Sequence, residues 1–312
     1  ERAEAAAAPP KPMKEPALPP FYGTGARTFG EETCADFRGS RPPHLYRWSP
    51  AGMFNCGTNT LLNLMHLNCN FDATGRHTLW QAPWGKHNPH SWRGRHWAPQ
   101  FGEGAWRPDP DSIFPVVVTK DPATWMKSMC RNQYESRFKH VRSHHDPETC
   151  PSPVADTRVT MRYQPDKPSY YDNLPDFWVR WHDEYVNTTH PRLVVRFEDL
   201  LFDSEKTIST VCACVGGKMR PRFTQEEIVS KDKTLGHYGP VNDRAKALRL
   251  YSSEKHRFDH YDRDDLELLK AVAGRSHLFK AMGYDFDVDA ALETQRRRRL
   301  LFGNATRGRR RR

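Results

Sequence analysis

Long hydrophobic runs are missing from the sequence. Only 37% of its 312 residues are hydrophobic and the mean hydropathy is −0.84, so no window offers the roughly 20 apolar residues of a membrane-spanning helix. A chain of this length can still bury a substantial core, and we expect one folded domain with extensions. It starts at Glu1 without an initiator Met or a signal peptide. We therefore expect a segment of something longer, with a membrane anchor before Glu1 as an open alternative.

Cysteine pairs with the spacing of a zinc site are missing as well. The seven cysteines are scattered over positions 34, 56, 69, 130, 150, 212 and 214, and none of these spacings is that of a zinc finger. Cys212 and Cys214 fall in an apolar helical pattern, which predicts buried core thiols. We expect no bound metal.

No acidic residue follows Gln295, and the positive charge of the chain is concentrated in this C-terminal segment. The formal net charge is +10, and nine arginines lie after Gln295, so the chain without that segment carries +1. A nearly neutral body disfavours nucleic acid as a partner. We expect residues 291–312 to be a disordered Arg-rich tail, and polyanion binding or sorting through this tail is the alternative.

The remaining sequence has no internal repeat and divides into two parts. Residues 1–42 begin with an Ala/Pro-rich stretch and are predicted to be a stem or linker. In residues 43–290 apolar strands alternate with amphipathic helices, which predicts one α/β domain with a central parallel sheet. After a first apolar stretch near residue 45, strands are predicted at residues 78–82, 113–119 and 192–197, helices from Pro122 and at 177–186, 204–215, 264–272 and 277–282, and a long loop at 140–172.

Residues 52–60, Gly-Met-Phe-Asn-Cys-Gly-Thr-Asn-Thr, lie between an apolar stretch and an apolar helical pattern. A strand, a glycine-containing loop and a helix start together bind phosphate through backbone N–H groups and the positive end of the helix dipole. The glycine spacing is that of a nucleotide-triphosphate P-loop, but Thr58 and Asn59 stand where that loop has Lys and Ser/Thr. The sequence therefore predicts a phosphate ligand without magnesium–triphosphate chemistry, and a kinase-like P-loop protein is the alternative.

Four segments, taken in order, resemble the sulfotransferases that use 3′-phosphoadenosine-5′-phosphosulfate (PAPS). Residues 54–60 resemble the family's phosphosulfate loop, and residues 86–89, Lys-His-Asn-Pro, resemble the segment that carries its base. Lys120 at a strand end, with Ser128 eight positions later, matches the pair that binds the 3′-phosphate. Residues 197–200, Phe-Glu-Asp-Leu, match a later signature. The resemblance covers roughly residues 43–285.

The resemblance implies a P-loop-like three-layer fold, with a central parallel sheet flanked by helices, and transfer of a sulfuryl group from PAPS to an acceptor hydroxyl or amine. It implies His87 as general base, because imidazole is suited to proton transfer near neutral pH, and Lys86 as the cation that balances charge on the bridging oxygen. The implied PAPS-binding residues are Asn55, Cys56, Gly57, Thr58, Asn59, Thr60, Lys120 and Ser128.

The resemblance leaves the acceptor open, with a glycan as one candidate. The tripeptides at residues 187–189 and 304–306 fit the glycosylation acceptor pattern and favour the Golgi lumen or another secretory compartment, with the cytoplasm as the alternative. Two positions depart from the family. Asn55 stands where a Lys is common, so the charge on the leaving group is expected to be balanced by Lys86. Lys120 stands where Arg is common, which keeps the charge and loses the bidentate fork.

Overall fold

A computed structural model describes residues 16–40, 42–71, 78–101, 106–138, 158–164, 167–227 and 243–296. These ranges form a mixed α/β structure. Its strands are β1 (Thr28–Phe29), β2 (Arg47–Gly52), β3 (Cys69–Asn70), β4 (Ile113–Thr119), β5 (Ser136–Arg137), β6 (Val159–Gln164), β7 (Lys167–Tyr171), β8 (Leu193–Arg196) and β9 (Lys218–Met219). Its helices are α1 (Thr33–Ser40), α2 (Thr58–Asn68), α3 (Pro122–Arg131), α4 (Leu174–Val186), α5 (Phe197–Phe202), α6 (Ser204–Cys214), α7 (Arg244–Tyr251), α8 (Glu254–Phe258), α9 (Arg263–Ala273) and α10 (His277–Ala281).

The central sheet has four strands in the order β1-β8-β4-β2. Strands β2, β4 and β8 run parallel, whereas β1 pairs antiparallel with β8, so the sheet is mixed rather than wholly parallel. The carboxyl ends of β2, β4 and β8 therefore meet at one edge, where ligands of open α/β sheets bind. The loop after Gly52, the residue Lys120 and the start of α5 all lie there.

Strand β4 is the centre of the core. Each of its seven residues is buried, and because side chains alternate between the two faces of a strand, both faces of the sheet are covered. The bounds predicted for this strand, residues 113–119, are confirmed. So is the helix start at Pro122, which Asp121 caps by accepting hydrogen bonds from the N–H groups of Ala123 and Thr124.

Four local predictions differ from the structure. The strand predicted at residues 78–82 is a single parallel bridge between Thr78 and Trp48. Within the predicted loop 140–172, β6 and β7 form an antiparallel hairpin that also pairs with β5. The segment 1–42, expected to be a stem, contributes β1 and α1 to the folded domain. Of the predicted tail, residues 291–296 are helical and residues 297–312 lie outside the described ranges.

Disulfides attach α6 to two other elements. Cys34 of α1 is bonded to Cys214, and Cys69 of β3 is bonded to Cys212. The prediction of free core thiols at 212 and 214 was therefore wrong, because residues two apart leave a helix on different sides and each sulfur meets a different neighbour. Cys130 is also disulfide-bonded, and Cys56 is a buried free thiol. Among the helices in the described ranges, none is long and apolar enough to cross a membrane.

Candidate functional site

The loop between β2 and α2 presents a helix start to the edge of the sheet. Gly57 is the residue before α2 and has a φ of 87°, and no side chain caps this end of the helix. A Cβ atom at Gly57 would collide with the ring of Phe197, so this position requires glycine for its backbone angle and for space. The first N–H groups of α2 have no acceptor within the helix and lie at its positive end. This end of α2 can therefore hold an anion.

Lys86 and His87 are attached to this same loop. The backbone N–H of Gly52 donates to the carbonyl of Lys86 at 2.8 Å, and Trp181 Nε1 donates to the carbonyl of His87 at 2.9 Å. The ammonium of Lys86 donates to Asn59 Oδ1 at 2.8 Å, and Lys86 is only 7% exposed. The structure thus brings a buried cation to the first turn of α2, although the two segments lie 27 residues apart in the chain.

The hydrogen bond of His87 fixes the tautomer of its neutral ring. His87 Nδ1 lies 2.7 Å from the carbonyl oxygen of Gly52. Because a carbonyl oxygen only accepts, Nδ1 must carry the hydrogen, and the lone pair of the neutral imidazole is then on Nε2. An imidazole in this state can take a proton at Nε2 while Nδ1 stays anchored. This is the arrangement that a general base needs.

The predicted pair Lys120 and Ser128 is in direct contact. Lys120 Nζ donates to Ser128 Oγ at 3.0 Å and to the hydroxyl of Tyr251 at 2.5 Å. Arg131 Nη2 donates to the same Ser128 Oγ at 3.2 Å. Lys120 is 3% exposed, and its ammonium also lies over the rings of Phe197 and Tyr251, 4.8 Å from each ring centre.

Phe197 lies between the loop 52–60 and the Lys120–Ser128 pair and contacts both. Its ring fills the space that the missing side chain of Gly57 leaves, and it also contacts the ammonium of Lys120 and the ring of Tyr251. Burial raises the pKa of the Cys56 thiol, and the charge of Lys120 partly opposes that rise. The loop and the Lys120 cluster are therefore adjacent and electrostatically coupled. The first residue of the Phe-Glu-Asp-Leu segment thus has a packing role within the site.

The two acids of that segment belong to the scaffold. Glu198 accepts hydrogen bonds from the backbone N–H of Asp121 and from the hydroxyl of Tyr284. Burial, together with the charge of Asp121, raises the pKa of Glu198 to about 7. Asp199 is fully buried and forms two hydrogen bonds with Arg196, at 2.6 and 2.7 Å. Both carboxylates are therefore committed to holding β8, α5 and the start of α3 together.

A group of basic side chains surrounds the Lys120–Ser128 pair. Burial, followed by the charges of Lys127, Arg131 and Lys120, lowers the pKa of His256 to about 2. Burial also lowers the pKa of Lys127 to about 7, against the opposing charge of Asp259. Direct contacts place these groups together at the carboxyl end of β4, because Lys127 Nζ donates to the carbonyl of His256 while Lys120 and Arg131 share Ser128 Oγ.

The loop residue Asn55 is directed away from the helix start. Its φ is 63°, and its amide nitrogen donates to the carbonyl of Asn132 at 2.9 Å and contacts Met129 Sδ at 3.2 Å. The Asn55 side chain therefore anchors the loop to the end of α3. Two further residues predicted to bind the phosphosulfate, Thr58 and Thr60, are buried in the first turn of α2.

Aromatic side chains border His87 and Lys86. The ring of Phe54 lies 4.1 Å from the ring of His87 and stacks on Tyr134 at 4.7 Å. On the side of Lys86, its ammonium lies 4.6 Å from the ring centre of Trp80. Trp80 is 55% exposed and Tyr134 is 37% exposed. The approach to His87 therefore has large aromatic surfaces open to solvent, which suit an organic acceptor.

Sequence reasoning missed two residues of this site. Arg131 could have been found from the sequence, because it lies three positions after Ser128 on a predicted helix and therefore on the same helix face. Tyr251 could not have been found in this way, since it lies 131 residues from Lys120 and its contact depends on the packing of α7.

The described residues contain no group of His, Cys, Asp and Glu side chains arranged to hold a metal ion. In comparisons with protein-family models, curated proteins and solved structures, no match to this chain was found.

Proposed function

We propose that this chain is a PAPS-dependent sulfotransferase with a three-layer α/β fold of the P-loop-like type. One observation carries the proposal: the segments with Lys86-His87, the loop 52–60 and Lys120-Ser128, which are distant in sequence, converge at one edge of the parallel strands. Their order in the chain is that of the sulfotransferase family. The residues present suit a ligand with a phosphosulfate at one end and a second phosphate at the other.

On the donor side, the first turn of α2 holds the 5′-phosphosulfate. Its N–H groups and the ammonium of Lys86 face the 5′-phosphate, which gains negative charge when its bond to sulfur breaks. Because Lys86 already lies 2.8 Å from Asn59 in that turn, it supplies the charge that Asn55 cannot bring. Lys120 and Ser128 hold the 3′-phosphate at the end of β4. No divalent cation has a role in this step.

On the acceptor side, His87 takes the proton. The acceptor oxygen or nitrogen forms a bond to sulfur as its proton passes to His87 Nε2, and the bond from sulfur to the 5′-phosphate oxygen breaks with its electron pair. The products are the sulfated acceptor, adenosine 3′,5′-bisphosphate and a protonated imidazole, which returns its proton to water. The hydrogen bond from Nδ1 to Gly52 holds the ring in place throughout.

The acceptor class and the compartment follow from the surroundings of the site. Exposed aromatic rings beside His87 suit the apolar face of a sugar ring, so glycans are the first acceptors to test. Disulfides persist in oxidising compartments, and the bonds of α6 are compatible with a Golgi or secretory location. Asn187, which opens one glycosylation tripeptide, is exposed at the end of α4.

The direct test is transfer of radiolabelled sulfate from PAPS to a panel of glycan, phenol and amine acceptors, with calorimetric binding of adenosine 3′,5′-bisphosphate as the second readout. The proposal fails if the folded protein neither transfers sulfate nor binds the bisphosphate. Binding of ATP that requires magnesium would favour the kinase-like alternative instead. Loss of heparin binding in a chain truncated before Gln295, with catalysis unchanged, would assign polyanion binding to the tail.

A further inference from the structure

Two cations share one hydroxyl group at the end of β4. Lys120 Nζ and Arg131 Nη2 both donate to Ser128 Oγ, at 3.0 and 3.2 Å, and Ser128 Oγ in turn donates to the carbonyl of Thr124 at 3.2 Å. Within the described part of the chain, neither cation has a carboxylate partner. The serine oxygen is thus the shared acceptor of two positive groups, one of which is almost fully buried.

The nearby carboxylate of Asp121 is already committed elsewhere. One of its oxygens caps α3, and the other accepts from Arg257 Nε at 2.6 Å in a buried ion pair. Lys127 lies close enough to Arg131 for their charges to repel, and Asp259 is its opposing charge. Burying cations without a counter-charge is unfavourable, so this cluster is built to receive an anion of more than one negative charge.

We infer that Arg131 is a specificity-determining residue that binds the 3′-phosphate of the donor together with Lys120 and Ser128. The inference rests on the proposed function, because it takes the donor to be PAPS. Lys120 has the positive charge of the Arg that is usual in the sulfotransferase family, but its ammonium cannot bind two phosphate oxygens as a guanidinium does. Arg131 provides a guanidinium at the same hydroxyl from one helical turn further along α3.

The chemistry of the three groups fits a phosphate. An ammonium, a guanidinium and a hydroxyl offer donors to different oxygens of one phosphate, and the guanidinium can bind two of them at once. When a phosphate takes the place of Ser128 Oγ as acceptor, both cations keep a hydrogen bond and gain a counter-charge. Discrimination between nucleotides with and without a 3′-phosphate should therefore depend on Arg131.

The test compares binding of two probes, adenosine 3′,5′-bisphosphate and adenosine 5′-monophosphate, by titration calorimetry. The proteins are the unmodified chain, Arg131→Ala, Arg131→Lys and, as a matched loss of one exposed arginine, Arg275→Ala. Loss of a charge-assisted hydrogen bond predicts that Arg131→Ala binds the bisphosphate about ten- to a hundredfold more weakly, with the monophosphate changed less than about twofold. The affinity of Arg131→Lys for the bisphosphate should lie between those of the unmodified chain and of Arg131→Ala. Arg275→Ala should bind both probes as the unmodified chain does.

The outcomes separate the inference from the function on which it rests. If the unmodified chain binds the bisphosphate and Arg131→Ala binds it equally well, Arg131 does not contact the 3′-phosphate. The inference is also overturned if Arg131→Ala loses both probes to the same extent, since Arg131 would then support the fold or the loop. If the unmodified chain binds neither probe, the proposed function fails, and the role of Arg131 fails with it. Thermal melting of each variant reports whether it is folded.

Discussion

Replacement of Lys86 by Met is the most direct test of the proposal that this residue balances the charge of a leaving group. Met keeps an unbranched apolar chain of similar length beside Trp80, and it removes the ammonium that donates to Asn59. Lys86 is buried, so its charge acts in a medium of lower dielectric constant than water. We therefore expect the substitution to affect the chemical step more than the fold.

The size of the effect follows from Coulomb's law. Two unit charges about 4 Å apart interact by about 4 kcal/mol at an effective dielectric constant of about 20, which corresponds to about 10³ in rate. In the proposed reaction the phosphosulfate already carries negative charge in the ground state, so only the part of this energy that develops in the transition state lowers the barrier. We expect kcat to fall by about 10²- to 10³-fold, with a smaller change in KM.

Single-turnover measurement of labelled sulfate transfer gives the rate of the chemical step. The control is Asn59→Ala, which keeps the ammonium and removes its hydrogen-bond partner in α2, and whose kcat should fall by less than about tenfold because one neutral acceptor is lost. A folded Lys86→Met protein with kcat within about threefold of the unmodified chain would refute the role given to Lys86. The charge would then have to come from another cation at the edge of the sheet.

Three further substitutions test the base, the loop and the buried acid. His87→Asn keeps a donor to the carbonyl that the imidazole contacts but has no Nε2, so kcat should fall by about 10²- to 10⁴-fold in the transfer assay, and an unchanged kcat would exclude His87 as base. Gly57→Ala should lower the free energy of unfolding in urea by about 1–3 kcal/mol, because of the positive φ and the collision with Phe197. Its control is Gly39→Ala inside α1, where the added Cβ meets no neighbour and should not lower that free energy. Glu198 has a pKa raised from 4.5 to about 7, so its contribution to stability is complete below pH 4.5 and is lost as the pH rises to about 7. Glu198→Gln should flatten the fall of Tm over that interval, and an identical fall in both proteins would contradict this reasoning.

The parts of the fold that local patterns encode were predictable. Strand β4 is a β-branched run between Asp residues, and α3 begins with a proline after a capping Asp121, so both bounds follow from neighbouring residues. The contact between Lys120 and Ser128 was expected from the resemblance to sulfotransferases, and the turn that joins β4 and α3 brings the two residues together.

The features that were missed depend on contacts between distant segments. The hairpin of β6 and β7 lies in a polar stretch whose strand character comes from pairing rather than from hydrophobic alternation. The partners of Cys212 and Cys214 lie 143 and 180 residues away, and spacing alone does not define disulfide connectivity. The attachment of Lys86 to Asn59 likewise depends on how the segment after β3 returns to the loop 52–60.

The disulfides of α6 set an order of events in the maturation of this chain. Both bonds join early cysteines, Cys34 and Cys69, to residues of a helix that is synthesised much later. Neither bond can form before α6 has left the ribosome, so α1 and β3 stay without their covalent links until then. Two thiols only two residues apart also offer each early cysteine a wrong partner, which thiol–disulfide exchange must correct. Correct pairing therefore depends on α6 reaching its place against the sheet before oxidation is complete.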